Sequence, residues 1–214
     1  TGSIPVSRSR RMEEYKLENL KAYETYTELF DQKFGEHFYN AGVVDRADEF
    51  IKNLKGKSIV DLGSGPGNHA EYFKNKGLDV LCVDISGKML EQCQRKGLKT
   101  LQMDIEELNL PGKYDGIWAY ASLLHVKKEK AQSIFNKIWE SLNPDGVLSL
   151  AVKEGVGGQY ETNYKYPDTK RWFTYYTDDE IKQLIEGKFQ ILNNHRAELK
   201  SSVFISYLLK KIND

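Results

Sequence analysis

The stretch Ser58-Ile59-Val60-Asp61-Leu62-Gly63-Ser64-Gly65-Pro66-Gly67-Asn68-His69 decides the fold of this chain. Ile59, Val60 and Leu62 make a short apolar strand that runs into glycines at alternate positions and then into a helical segment. Gly63, Gly65 and Gly67 admit positive φ and place no Cβ between backbone and ligand. The first N–H groups of the following helix lack partners within it and face the same point. A strand end, a bare turn and a helix N-terminus therefore meet, as in the ligand crevice of a doubly wound sheet. The plainer reading is a strand–turn–helix with incidental glycines. Spacing selects the ligand. A dinucleotide site takes G-x-G-x-x-G, and here the third glycine comes one residue early. Asp61, ahead of the first glycine, repels a pyrophosphate and suits an ammonium group. The crevice reads as one for a nucleotide that carries a cationic amino acid.

This run resembles motif I of the class I S-adenosylmethionine (SAM)-dependent methyltransferases, close to V-x-D-x-G-x-G-x-G. The resemblance implies an α/β fold: a doubly wound, seven-stranded, mostly parallel sheet with an antiparallel C-terminal strand, helices on both faces and an N-terminal helical cap. It implies SAM as cofactor, S-adenosylhomocysteine (SAH) as product and no metal. It also implies a single domain over 1–214, with a cap at 1–54, a cofactor core at 55–152, a substrate lid at 153–176 and a terminal helix and strand pair at 177–214.

Composition agrees with one such domain. The chain has 214 residues, enough for an α/β unit with a full core. Lys and Arg number 31, as do Asp and Glu, so no strong field attracts nucleic acid or an anionic membrane. Cys82 falls in an apolar strand and Cys93 in a helical segment, which predicts reduced thiols and a cytoplasmic location. No Cys/His cluster has metal-ligand spacing. Neither a bilayer-spanning apolar run nor a signal peptide is evident, so a soluble protein is expected.

Residues 1–12 are polar and basic (Arg8, Arg10, Arg11) and are expected to fray. Residues 13–34 read as one helix, with Leu17, Leu20, Tyr23, Tyr26, Thr27 and Phe30 at three- and four-residue steps. The family's pre-domain helix carries Y-x-x-x-A-x-x-[YF] over the cofactor. Tyr23 and Phe30 match it, and Thr27 stands at the small apolar place. A plain amphipathic helix gives the same stripe. By resemblance Tyr23 meets the cofactor and Tyr26 the substrate. Residues 43–54 form another helical stripe, and a helix from about His69 to Lys76 follows the glycine loop.

Leu78 to Asp84 reads as a second buried strand with an acidic tip, and a carboxylate there can accept both ribose hydroxyls. Ser86 is a candidate N-cap for the next helix. The run Asp84-Ile85-Ser86-Gly87-Lys88-Met89-Leu90 is similar to the family's D-x-S-x-x-M-L, whose Asp binds ribose while the positions of Ile85 and Met89 flank adenine. Met89 alone would read as core filler. A third strand ends at Asp104-Ile105. By resemblance the Asp104 side chain meets the adenine amino group and the Ile105 N–H the ring, although Asp104 could instead cap a turn. The same resemblance assigns Ser64, Gly65, Gly67, Asn68 and Ala121 to the cofactor, with Asp61 and Gly63 at its amino-acid end.

Tyr114 to Ala121 reads as strand four, and Ser122-Leu123-Leu124-His125 follows at its carboxyl end, where ligands bind. A neutral His125 can take a proton from an acceptor hydroxyl or amine, or it can simply shape the pocket. Lys127 to Leu142 is an amphipathic helix, Asn143 to Val147 a tight turn, and Leu148 to Val152 strand five.

Residues 153–176 fit no single period. They resemble K-x-G-x-G-E…R-[WF]-F-x-[YF]-Y-[ST]-x-x-E of bacterial small-molecule methyltransferases, matched by Lys153, Glu154, Arg171, Trp172, Phe173, Tyr175, Tyr176 and Glu180. A glycine-hinged aromatic segment there would be a lid, with Tyr26, Ser122, His125, Tyr160, Arg171 and Tyr175 toward the substrate. Aromatic faces suit cationic or planar acceptors, and Arg171 suits a carboxylate or phosphate. A structured connection with buried aromatics and a surface Arg171 is the alternative. Thr177 and Glu180 have capping-box spacing, and Phe189–Asn193 with Ser202–Lys210 predict an antiparallel hairpin at the sheet edge.

The resemblance implies a SAM-dependent methyltransferase, and elimination leaves an N or O atom of a small molecule as acceptor. Ala119-Tyr120-Ala121-Ser122 is not the [ND]-P-P-[YF] of DNA and many RNA enzymes. No Cys stands there for cytosine chemistry, no Asp for a catechol-type metal site, and no double-Glu loop as in protein-arginine enzymes. The expected partners are a small-molecule acceptor, no nucleic acid, no membrane, and at most a second copy of the chain (monomer or homodimer). Three other readings stay open: a silent SAM-binding scaffold, a methyltransferase acting on a peptide or RNA, and an NAD-dependent oxidoreductase. Glycine spacing and the terminal hairpin oppose the last.

Overall fold

The computed structural model describes residues 12–40, 42–199 and 202–213, so the basic stretch at Arg8, Arg10 and Arg11 lies outside the described residues. The chain runs α1 (Glu14–Thr25), α2 (Thr27–Asn40), α3 (Val43–Asn53), β1 (Ser58–Leu62), α4 (Asn68–Asn75), β2 (Asp79–Asp84), α5 (Gly87–Arg95), β3 (Lys99–Gln102) and β4 (Tyr114–Tyr120). It continues with α6 (Lys128–Ser141), β5 (Leu142–Glu154), β6 (Gly158–Thr162), β7 (Lys170–Tyr176), α7 (Asp178–Ile185), β8 (Phe189–Leu199) and β9 (Ser202–Lys211).

Strand alternation builds two apolar layers. Ile59 and Trp118 face one, while Val60, Leu62, Ile117 and Ala119 face the other. Strands covered on both faces need such continuous apolar runs. On the first face α3, α4 and α5 supply Phe50, Phe73 and Cys93, all fully buried. On the second, α6 and α7 supply Phe135, Ile138 and Ile181. Packing of α3 on β4 is close: a Cβ on Gly116 would stand 2.5 Å from Leu54 and 2.6 Å from Phe50.

The parallel strands lie in the order β3-β2-β1-β4-β5. Antiparallel β9 takes the next place beside β5, with β8 outside it. That is the expected seven-stranded doubly wound sheet with its C-terminal hairpin at the edge. The structure adds β6 and β7. Lys153 of β5 pairs with Tyr175 of β7 and with Phe204 of β9, so these two flank opposite edges of β5. Since β4 pairs with β5 only as far as Ala151, β7 takes over the β4 edge beyond the carboxyl end of β4.

Three expectations are corrected. The single helix over 13–34 is broken at Tyr26, where φ is −119° and ψ 32°. The Thr25 hydroxyl donates to the Lys21 carbonyl (2.7 Å) and that of Thr27 to the Tyr23 carbonyl (3.0 Å), and such side-chain bonds compete with the helical ladder. The stretch 153–176, which fits no single period, holds the β6–β7 hairpin, with its strands at Gly158–Thr162 and Lys170–Tyr176. Both of its faces carry aromatics, Trp172 against Tyr160 and Phe173 against His125, so no polar–apolar alternation marked it. The turn at Asn143–Val147 is a bulge inside β5. Its pairing with β4 jumps from Leu142 to Val147, and Asp145 takes φ of 60°.

Candidate cofactor and acceptor site

The glycine loop joins β1 to α4 at the carboxyl edge of the sheet. The Gly63 and Ser64 N–H groups donate to the Val83 carbonyl at 2.7 and 3.0 Å, turning the loop over the end of β2. Gly63 has φ of 74°, and a Cβ there would meet the Ser122 Cβ at 2.3 Å. Ala121, which leads into Ser122, itself has φ of 61°, a strained value for a residue with a side chain. The loop and the end of β4 thus close on each other with no room for a larger residue.

Asp61 is buried beneath this loop, and its Oδ2 has no hydrogen-bond partner among the described residues. Burial first, and then the neighbouring Asp84 charge, push its pKa up to about 8. An orphaned buried acceptor of this kind fits an ammonium group. Asp84, at the tip of β2, accepts from Gly65 N–H at 2.9 Å and Ser86 N–H at 2.8 Å. Each carboxylate oxygen keeps a second lone pair, so capacity for ribose hydroxyls remains. Burial raises the Asp84 pKa, and these backbone N–H groups oppose the rise. Ser86 caps α5 as expected, accepting from Met89 N–H at 3.2 Å.

Not every expected residue stands free. Asp104 accepts from the Glu106 N–H at 2.9 Å as a turn cap and from Lys16 of α1 at 2.7 Å. Asn68 donates to the Asp31 carbonyl at 2.8 Å and accepts from Lys96, which ties α4 to α2. Ser64 lies 3.8 Å from the Cys93 sulfur, and the Ile85 carbonyl accepts from Gln102 at 3.0 Å. The Ile105 side chain reaches to 3.4 Å from a Cβ built on Gly63. Met89 packs with Phe30 and Tyr166 under Tyr23, Tyr26 and Phe34.

At the other end of the cleft α1, β7 and the 3-10 turn Leu123–His125 meet in one hydrogen-bond chain. His125 Nδ1 lies 2.7 Å from the Trp172 carbonyl, which can only accept, so this nitrogen carries the proton. Nε2 is then the acceptor and takes the Tyr23 hydroxyl at 2.6 Å. The Tyr23 oxygen in turn accepts from Arg171 at 3.2 Å. Burial, helped by the Arg171 and Lys153 charges, drives the His125 pKa down to about 3, so the ring is neutral. Asn19 of α1 accepts from the Trp172 N–H at 2.6 Å and fixes the strand end that holds His125.

Of the expected substrate residues, Tyr26 donates to the Pro167 carbonyl at 2.8 Å, and Tyr175 donates to Glu161 beside the Lys153–Glu161 pair. Ser122 is buried, and its hydroxyl has no hydrogen-bond partner among the described residues. Tyr160 stands apart: it is exposed, and among the described residues its ring meets Trp172 and the Lys170 ammonium. Sequence reading missed Lys16, Asn19, Lys33 and Tyr166. Lys16, Asn19 and Tyr23 recur at helical steps along α1, a polar stripe on a face the fold buries.

Comparison with known proteins follows this geometry. Residues 59–146 match the family model for a methyltransferase domain. The fold superposes on that of a Burkholderia thailandensis 1,6-didemethyltoxoflavin-N1-methyltransferase, solved with its substrate and SAH, with TM-score 0.73 and 18% identity over 99% of this chain and 94% of that one. Residues 59–146 thus carry a match to a methyltransferase domain, on a fold shared with SAM-dependent methyltransferases. It is 30% identical over 160 residues to the glycine/sarcosine N-methyltransferase of Halorhodospira halochloris, covering 67% of this chain and 60% of that one. It is 21% identical to the phosphoethanolamine N-methyltransferase of Plasmodium falciparum, over 80% of this chain and 62% of that one. The chain thus spans about three fifths of the length of these relatives. Among the described residues, no helix is long and apolar enough to cross a membrane.

Proposed function

We propose that this protein transfers a methyl group from SAM to a nitrogen or oxygen atom of a small-molecule acceptor. The observation that carries the cofactor half is Asp61, a buried carboxylate with an unpartnered oxygen beneath a glycine loop that tolerates no side chain. In this reading Asp61 holds the cofactor's ammonium, Asp84 the ribose hydroxyls, and Ile85, Met89, Asp104 and Ile105 the adenine. Asp104 exchanges Lys16 for that ligand. Gly63, Ser64, Gly65, Gly67, Asn68 and Ala121 line the approach, and Tyr23 covers it.

When bound, SAM supplies a methyl group on a sulfonium centre that leaves as a neutral thioether, so the leaving group needs no acid. The work left to the chain is to align an acceptor and exclude water, and orientation of that kind is worth several kcal/mol. His125 presents Nε2 to the Tyr23 hydroxyl and, as a neutral ring, orients that hydroxyl toward the acceptor rather than holding its proton. The small-molecule reading draws on the enclosure of this end of the cleft by Phe30, Tyr166 and Phe173, all buried, which leaves little room for a polymer. It also draws on the two sequence relatives, named for glycine/sarcosine and for phosphoethanolamine, which are small amines.

The test is transfer of labelled methyl from SAM to a panel of amino acids, phosphorylated amines, primary and secondary amines and phenols. Saturable transfer to a panel member, lost in Gly63→Ala, is expected. Label appearing only in peptide or RNA, or SAH binding without transfer to any acceptor, would favour the polymer-acting or silent alternatives.

A further inference from the structure

Arg171 is surrounded by rings rather than by acids. Its guanidinium carbon lies 5.4 Å from the centroid of Tyr23, 5.2 Å from Phe30, 5.4 Å from Tyr166 and 5.0 Å from Phe173. Its one hydrogen bond among the described residues goes to the Tyr23 hydroxyl, and no carboxylate pairs with it. A guanidinium has five N–H donors in a planar fork, so most of its donors have no acceptor here. Lys33 of α2 is an exposed residue whose ammonium lies 5.3 Å from the Tyr166 ring and 6.0 Å from Phe30, again with no carboxylate partner among the described residues. Lys165 and Lys153 add positive charge to the same region. Glu161, the cross-strand neighbour of Arg171, is committed to Lys153 at 2.6 and 2.7 Å.

A second, independent observation points the same way. Tyr166 is 2% exposed, and its hydroxyl is buried with no hydrogen-bond partner among the described residues. Its ring stacks on Phe30 at 4.5 Å, which holds it in place. A buried hydroxyl without a partner costs free energy unless a ligand satisfies it. The orphaned Tyr166 hydroxyl, the spare donors of Arg171 and the Lys33 ammonium thus lie around the same rings without a carboxylate acceptor among the described residues. Arg171 fills the aromatic cage from within, so the cage is closed to a cationic ligand group and serves instead to aim the guanidinium.

We propose that Arg171, Tyr166 and Lys33 form a clamp for an oxyanion, the carboxylate or phosphate of the methyl acceptor. This rests on the methyltransferase reading and sharpens it: the acceptor carries its anionic group one residue away from Tyr23 and His125, which face the atom to be methylated. The cofactor's own carboxylate is the competing source. Tyr166 also packs on Met89 of α5, but the ring and hydrogen-bond contacts of Arg171 and Lys33 run to α1, α2 and the hairpin and none to the glycine loop, which favours the acceptor as the clamp's occupant.

The test is calorimetry on the full chain. SAH is titrated first. Inorganic phosphate and glycine are then titrated separately into the SAH complex, for wild type, Arg171→Gln, Arg171→Lys and Lys33→Met. At least one of the two probes should bind the wild-type complex. That binding should weaken about tenfold in Arg171→Gln, about threefold in Lys33→Met, and by an intermediate amount in Arg171→Lys, which keeps the charge but not the fork. SAH affinity should stay within about twofold throughout. Neither probe binding to an SAH-bound chain would overturn the clamp while leaving the methyltransferase reading intact. So would probe binding indifferent to both Arg171→Gln and Lys33→Met. A tenfold loss of SAH affinity in Arg171→Gln would give the clamp to the cofactor and overturn its assignment to the acceptor. Failure of SAH to bind the wild type would overturn the methyltransferase reading itself.

Discussion

Cofactor binding at pH 7 should expel a proton from Asp61. In the free protein burial and the Asp84 charge hold this carboxyl near a pKa of about 8. At pH 7 it is therefore about nine-tenths protonated. An ammonium group placed against Oδ2 favours the ionised form and returns the pKa toward the ordinary carboxylate range. Binding then releases about 0.9 proton per chain at pH 7, falling to about 0.1 at pH 9. The assay is titration calorimetry with SAH at pH 7 in HEPES and in Tris, whose ionisation enthalpies differ widely. The difference in heat divided by the difference in ionisation enthalpy gives the protons released. Identical heats in the two buffers, or net proton uptake, would refute the reasoning. Asp61→Asn should abolish the buffer dependence. The same shift has a stability consequence. Because the folded pKa lies above the unfolded one, the folded state holds the extra proton, and stability falls as pH rises from about 4 to about 8. By pH 7 the cost is on the order of 4 kcal/mol. Asp61→Asn should therefore melt higher than wild type at pH 8 while binding SAH more weakly.

Other outcomes follow from the same geometry. The His125 ring should not ionise between pH 5 and 8, since its pKa is driven down to about 3; a histidine NMR titration with a midpoint near 6.5 assigned to this ring would contradict the burial argument. Tyr23→Phe removes the donor to His125 and the acceptor for Arg171 together, and should lower stability by about 1–3 kcal/mol in urea unfolding; an unchanged midpoint would mean that the chain carries no net energy. Gly63→Ala must fit a Cβ 2.3 Å from that of Ser122 at φ of 74°, and should weaken SAH binding by more than about tenfold, read by calorimetry on a sample shown to be folded by circular dichroism.

Much of the fold around the glycine loop was legible because its signals are local. Gly63, Gly65 and Gly67 all have positive φ in the structure, as a bare turn requires, and Ser86 and Thr177 cap the helices that their spacing predicted. Apolar runs such as Val80 to Val83 announced strands covered on both faces. The acceptor half was less legible because its partners are distant in sequence. Arg171 meets Tyr23 and Phe30 across the whole chain, and nothing in the spacing of Lys33 or Tyr166 says that the fold brings them together. Tyr160 was expected in the pocket, yet it pairs with Trp172 on β7 and faces solvent, since a one-residue step along a strand changes the face. The helix break at Tyr26 escaped notice because the apolar stripe continues through it, while the threonine hydroxyls that compete for carbonyls are visible only in three dimensions.

The most direct test of the central claim is titration of the purified chain with SAH, repeated on Asp84→Ala. The account predicts one site per chain with micromolar affinity, weakened at least about tenfold when the Asp84 carboxylate is removed, a loss of about 1.4 kcal/mol that suits a hydrogen-bonded acceptor. No SAH binding by a folded wild-type sample, or equal binding by Asp84→Ala, would contradict it.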